Sequence, residues 1–218
     1  MAKTGTATGT AFDDQADSMM DWARTNMKMI GTVLAAIALA VVLWLVIKQW
    51  RDSRAAAADA ALNRARQSYT QGNLPLAQTD LRNVIRRYDG SSAGSQATML
   101  LAQVYYEQGK ADSGLKVLND GKAASVDRAA FEALKGAGYE QLKQYGPAAE
   151  RYQAAAAATD AKISKDRYMA DAARVLTLAG KKDEAAKIWT ALANDDASGF
   201  SAEAKVRLGE LTAKPVAR

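Results

Sequence analysis

The sequence predicts an all-α protein with one N-terminal transmembrane helix, then an α-solenoid of about four helix pairs, closed by a capping helix. Three observations carry this prediction. Residues 29–47, "MIGTVLAAIALAVVLWLVI", hold no charge and are long enough to cross a bilayer core. From Ala55 onward, Ala and larger apolar residues recur at the helical period, with no period-two stretch that would read as a strand. Finally, a pattern of small and bulky residues returns along the whole C-terminal part, the sign of a repeat architecture.

Composition narrows the chemistry. A chain of 218 residues with 49% hydrophobic and 24% charged residues fits one folded domain plus an appendage. It contains no Cys and no His, which removes disulfides, thiol nucleophiles, imidazole acid–base catalysis and His/Cys zinc sites. A chain without thiols is indifferent to redox poise, so the compartment has to be read from other features.

The elements follow in order. Residues 1–28 open with "MAKTGTATGT" and continue through Asp13, Asp14, Asp17 and Asp21, with too few apolar residues for a core; they are expected to form a polar, disordered tail. The Asp cluster lacks the Gly and the closing Glu of a calcium loop. Residues 29–47 form the transmembrane helix, with Trp22, Trp44, Lys48, Trp50 and Arg51 as its interfacial anchors. If Trp22 and Trp50 share one continuous helix they stand roughly 42 Å apart, close to the full bilayer thickness. A cleaved leader is the competing reading; the long acidic tail, the length of the run and the basic residues directly after it weigh against it. Residues 48–58 read as a basic juxtamembrane helix.

The flanking charges and the size of the C-terminal domain pull the orientation in opposite directions. Arg24 and Lys28 precede the span, whereas Lys48, Arg51, Arg54, Arg64 and Arg66 follow it, and that count alone places the C-terminal domain in the cytoplasm. Long folded domains are translocated despite such flanks, and a basic segment also suits a helix resting on anionic lipid.

Residues 59–194 hold the repeats. The small residues Ala65, Ala102, Gly136 and Ala173 are each followed seven positions later by Gly72, Gly109, Lys143 and Gly180. Five further on stand Ala77, Gly114, Ala148 and Ala185, and four beyond those the bulky Leu81, Leu118, Tyr152 and Trp189. Each unit therefore reads as a helix, a tight turn and a second helix packed antiparallel on the first. The small residues allow close approach of the two backbones, and the bulky ones fill the groove toward the next unit. Pro75 and Pro147 sit just inside predicted helix starts, where a missing N–H costs little. Residues 195–218 supply a capping helix, with Leu208 and Leu211 inward and Glu203, Lys205, Arg207 and Glu210 outward, before Pro215 ends it.

This pattern resembles the tetratricopeptide repeat, best in the copy with Leu101, Ala102, Tyr105, Gly109 and Leu118. Ser68 in place of an aromatic, Lys143 at a turn and the missing repeat-ending Pro depart from it. Together with the span, and with "VLWLVIKQWRDSRAAAADAAL" flowing from apolar run into first repeat helix, the architecture resembles the YfgM-type family of ancillary subunits of the SecYEG translocon. That resemblance implies a single-pass protein of the bacterial inner membrane with a cytoplasmic tail and periplasmic repeats, associated with translocon subunits, periplasmic chaperones and client segments.

In the usual superhelix the first helix of each pair lines the concave face. The spacing then places Arg66, Tyr69, Met99, Gln103, Tyr106, Glu107, Glu140, Gln141 and Arg174 there as protein-binding residues. Tyr105 is expected to pack within its repeat and Tyr106, one 100° step on, to face the groove. A carboxylate clamp of the kind found in chaperone adaptors needs Lys and Asn where Leu62 and Met99 stand. Tyr69 and Met99 equally suit repeat-to-repeat core. No catalytic residue, cofactor or metal site is expected. "GSSAG" at 90–94 has no following Lys-Ser/Thr, and the net charge of +5 comes without a nucleic-acid recognition motif. The function expected is non-enzymatic: an ancillary translocon partner that binds proteins or extended segments, or alternatively a structural scaffold for an envelope or cell-division complex on either side of the membrane.

Overall fold

The computed structural model describes residues 20, 22 and 24–213. Most of the polar tail, including Asp13, Asp14, Asp17 and Asp21, and the terminal Pro215 lie outside these residues. The chain divides into two compact units, Met1–Arg54 and Ala55–Arg218. Helix α1, Met27–Thr70, runs through the division without a break.

In the first unit, an 18-residue window of α1 reaches a mean hydropathy of 2.8 and none of it is buried, so this helix is long and apolar enough to span a membrane. Trp22 stands ahead of α1, on a helical turn in which the Asn26 amide donates to its carbonyl at 3.0 Å. The two tryptophans therefore do not share α1, and the 42 Å estimate loses its premise. Lys48 lies over the Trp44 ring at 5.5 Å and Arg54 over Trp50 at 5.4 Å. Each pair sits four residues apart on one helix face, where cation and ring attract. Arg51 is exposed.

The second unit is a succession of antiparallel helices. Residues 55–70 of α1 pair with α2 (Leu74–Arg87), α3 (Ser92–Glu107) with α4 (Ala111–Asp120), α5 (Arg128–Gln141) with α6 (Tyr145–Ala157), and α7 (Lys162–Leu178) with α8 (Lys182–Ala193). A 3-10 turn, Ser125–Asp127, precedes α5, and α9 (Ser201–Thr212) closes the unit.

All four hairpins reverse in the same way. The amides of Asn73, Lys110, Gln144 and Lys181 reach back to the carbonyls of Ser68, Tyr105, Tyr139 and Leu176. Those of Gly72, Gly109, Lys143 and Gly180 reach the carbonyls of Tyr69, Tyr106, Glu140 and Thr177. This double closure requires a left-handed residue, and φ is +76°, +70°, +58° and +78° at the four positions. Only Lys143 meets it with a side chain. Helix starts are set locally as well: Asn73 accepts the Leu76 amide at 3.2 Å, with Pro75 in the first turn, and Ser91 accepts the Gly94 amide at 3.1 Å.

The core forms three clusters along the unit. Ala58, Leu62 and Ala65 of α1 pack with Leu81, Val84, Ala97 and Leu101. A small central cluster joins Ala102, Tyr106, Ala111, Leu118 and Phe131. The third gathers Tyr152, Ala173, Leu176, Ala185, Trp189 and Ala204, with Phe200, Leu208 and Leu211 of the closing segment packed on it. Ala204 is the inward residue of α9 that periodicity alone did not single out. Leu81, Leu118, Tyr152 and Trp189 are all buried.

The small residues make room for one ring in particular. A Cβ added to Gly114 would stand 2.3 Å from the Tyr106 ring, and one added to Gly138 would stand 2.3 Å from the Tyr106 hydroxyl. Tyr106 is 8% exposed and donates to the Leu134 carbonyl at 3.1 Å. The expectation that Tyr106 faces the groove is therefore corrected: it is a core residue that ties α3 to α5. Tyr105, its half-buried neighbour, packs against the first cluster and accepts a hydrogen bond from Arg82 of α2.

Candidate functional site

The face made by the first helices, α1 from Ala55 onward, α3, α5 and α7, is crossed by polar rungs. Arg66 donates to Gln96 of α3, and the Tyr69 hydroxyl donates to Glu107 at the far end of α3. Arg174 of α7 holds both carboxylate oxygens of Glu140 on α5, one of them at 3.0 Å, and also Asp171 at 3.1 Å. Tyr152 of α6 donates to the same Glu140 at 3.1 Å.

The electrostatics follow from these contacts. The Arg174 guanidinium holds the Glu140 carboxyl below its ordinary range, against the opposing effect of burial. In turn Glu140 raises Arg174, which stays a fixed cation. The Tyr69 phenol is pushed up by its bond to Glu107, and those of Tyr106 and Tyr152 chiefly by burial.

Of the residues expected on this face, Arg66, Gln103, Glu107 and Gln141 are exposed, while Tyr69, Glu140 and Arg174 are half-buried in rungs. Met99 is half-buried against the central cluster and so belongs partly to the core. Spacing brings together Tyr69 with Glu107 and Glu140 with Arg174, whereas Gln103 and Gln141 join no rung. Gln96, Asp171 and Tyr152 were missed. Asp171 was within reach of sequence reasoning, since it lies one helical turn before Arg174. Beyond Arg174 the face continues into a cleft of about 250 Å³ between α7, α8 and α9, with Leu178, Trp189 and Leu211 as its apolar wall and Lys182 and Arg207 at its margin. Leu178 follows Arg174 by four residues on the same stripe and is 53% exposed.

Chemically, these groups are arranged to hold and orient one another. Glu140 and Asp171 are paired with Arg174 and Glu107 with the Tyr69 hydroxyl, and no group of three or more Asp or Glu able to hold a metal occurs among the described residues. Successive helical hairpins with identical left-handed turns, and a face of donors, acceptors and apolar side chains, define an α-solenoid interaction module. The chain matches the tetratricopeptide repeat-like domain family over residues 45–170, more than half its length, and belongs to that family. Domains of this family are in general non-catalytic and bind proteins. Among curated proteins, none matches the chain.

Proposed function

We propose that the protein is a non-enzymatic interaction module anchored in the bacterial inner membrane, an ancillary and chaperone-linked partner of the secretion translocon. Its tail is cytoplasmic and its repeats are periplasmic, and the first-helix face binds proteins or extended segments. The observation that supports this most is the unbroken passage of α1 from an exposed apolar segment into the first hairpin of a protein-binding family. Phosphatase fused after Arg218 should be active, and translocon subunits should co-purify after extraction in mild detergent. An inactive phosphatase, with a fluorescent cytoplasmic reporter at the same position, overturns the orientation.

A second reading has an observation of its own. The rungs already engage Arg66, Tyr69, Glu107, Glu140 and Arg174 within the unit, which suits a rigid scaffold for an envelope or division complex. Enrichment at division sites, with no translocon subunit recovered, would select it. Exchange of Leu178 for Asp should lower partner recovery under the first reading and leave it unchanged under the second.

A further inference from the structure

The connections between hairpins lie along one edge of the repeat body. Lys122 after α4 pairs at 2.8 Å with Asp89 after α2, and Lys162 at the start of α7 pairs with Asp195 after α8. The four connections are thus joined two and two. The first helices run parallel, with Tyr69 level with Glu107 and Glu140 level with Arg174, so all of them begin on this edge. Ala55, the first residue of the unit, begins there too. Only residues 48–54 separate Ala55 from the end of the apolar run.

This edge also carries an anomaly. Val126 is 81% and Ile163 82% exposed, the two most exposed large apolar side chains among the described residues. Val126 lies in the 3-10 turn before α5 and Ile163 in the first turn of α7. Beside them Arg128, Lys165 and Arg167 are exposed and form no ion pair among the described residues. Asp160 and Asp196 are also exposed on this edge and Asp127 stands between Val126 and Arg128, so it is not uniformly basic, and the apolar tips are what sets it apart. An aliphatic tip flanked by Lys or Arg is the combination that enters a lipid interface, the apolar group among upper acyl chains and the cations at the headgroups.

We propose that this connection edge rests on the bilayer surface, with Val126 and Ile163 inserted into the lipid interface. The inference depends on the membrane-anchored reading above. It adds that the repeat body is held against the membrane at its connection edge rather than hanging free on its tether, which leaves the turn edge, with Gly109 and Lys143, away from the lipid.

The absence of native Cys lets single labels report each position. Full-length Val126→Cys, Ile163→Cys, Lys110→Cys and Val41→Cys variants would each carry a polarity-sensitive fluorophore. They would be reconstituted in phosphatidylcholine–phosphatidylglycerol vesicles containing nitroxide-labelled lipid. The labels at 126 and 163 should shift to the blue and lose most of their emission to a headgroup-level quencher. The label at 41 should be quenched from deep in the chain region, and that at 110 by neither. Quenching at 41, with 126 and 163 as wet as 110, overturns the edge contact while leaving the membrane anchor in place. No quenching at 41 removes the anchor and the inference with it. Shielding at 126 and 163 that no lipid quencher reaches would assign the edge to a second copy of the chain and likewise overturn it.

Discussion

Lys143 does at its turn what glycine does at the other three, and it does so at a cost. A left-handed side chain is disfavoured by about 1–2 kcal/mol, partly offset by the extra freedom glycine has in the unfolded chain. Lys143→Gly is therefore expected to stabilise by up to about 1 kcal/mol, and Gly109→Ala, at φ +70°, to destabilise by about as much. Melting of the full chain in detergent checks both, and a lower midpoint for the Lys143 variant would deny the shared geometry. Glu140 gives a second test at this scale. Its folded pKa lies below the unfolded value of about 4.3, so its contribution is present above that pH and lost as pH falls through the folded value. Glu132 behaves likewise, because Arg151 and Lys135 outweigh the upward push of its burial. Denaturant midpoints should fall as the pH is lowered below the unfolded glutamate value of about 4.3, and less steeply for Glu140→Gln. Parallel slopes would place Glu140 outside the rung.

Packing between helices is decided by single methyl groups. Ala102 is fully buried in the central cluster, and Ala102→Leu should overpack it at a cost of about 1–3 kcal/mol, whereas exposed Gln103→Ala should change little. Tyr106→Phe should cost about 1 kcal/mol for the lost bond to Leu134. Equal melting of Ala102→Leu and Gln103→Ala would break the assigned register. The hairpins themselves were legible in the sequence because their turns need a left-handed residue and three of four use glycine. Lys143 was found through spacing alone. The exchange of Tyr105 and Tyr106 was not legible, and the reason is geometric. At 3.6 residues per turn, positions three and four after Ala102 flank the seam almost equally. What chooses between them is the space left by Gly114 and by Gly138, and the latter belongs to the next hairpin. The polar rungs were half legible for a similar reason. Residue types on the face could be read from phase, but the partners Gln96 and Tyr152 depend on side-chain reach across helices.

The repeat body as a whole is two larger clusters joined by a small one. A solenoid's cooperativity passes through each neighbouring interface, so the weakest junction governs whether the unit melts in one step. Phe131, 2% exposed, is the aromatic of the central cluster besides Tyr106. Phe131→Ala is expected to cost about 3–5 kcal/mol and to split one calorimetric transition into two, with amides of α4 exchanging ahead of those in α3 and α7. A single sharp transition in that variant would show that cooperativity does not rely on this junction.

The continuity of α1 also has a consequence for synthesis. Leu62 is buried only when Leu81 and Leu101 have arrived, and Leu101 follows it by 39 residues. At roughly 5–20 residues per second, that interval lasts roughly 2–8 s. Throughout it, the first repeat helix is already made and joined to an apolar segment, while its own Ala58–Leu62–Ala65 stripe has nothing to cover it. Birth order thus leaves the start of the fold waiting for its partners, and any holding activity that acts on the nascent chain has its longest opportunity at that stripe.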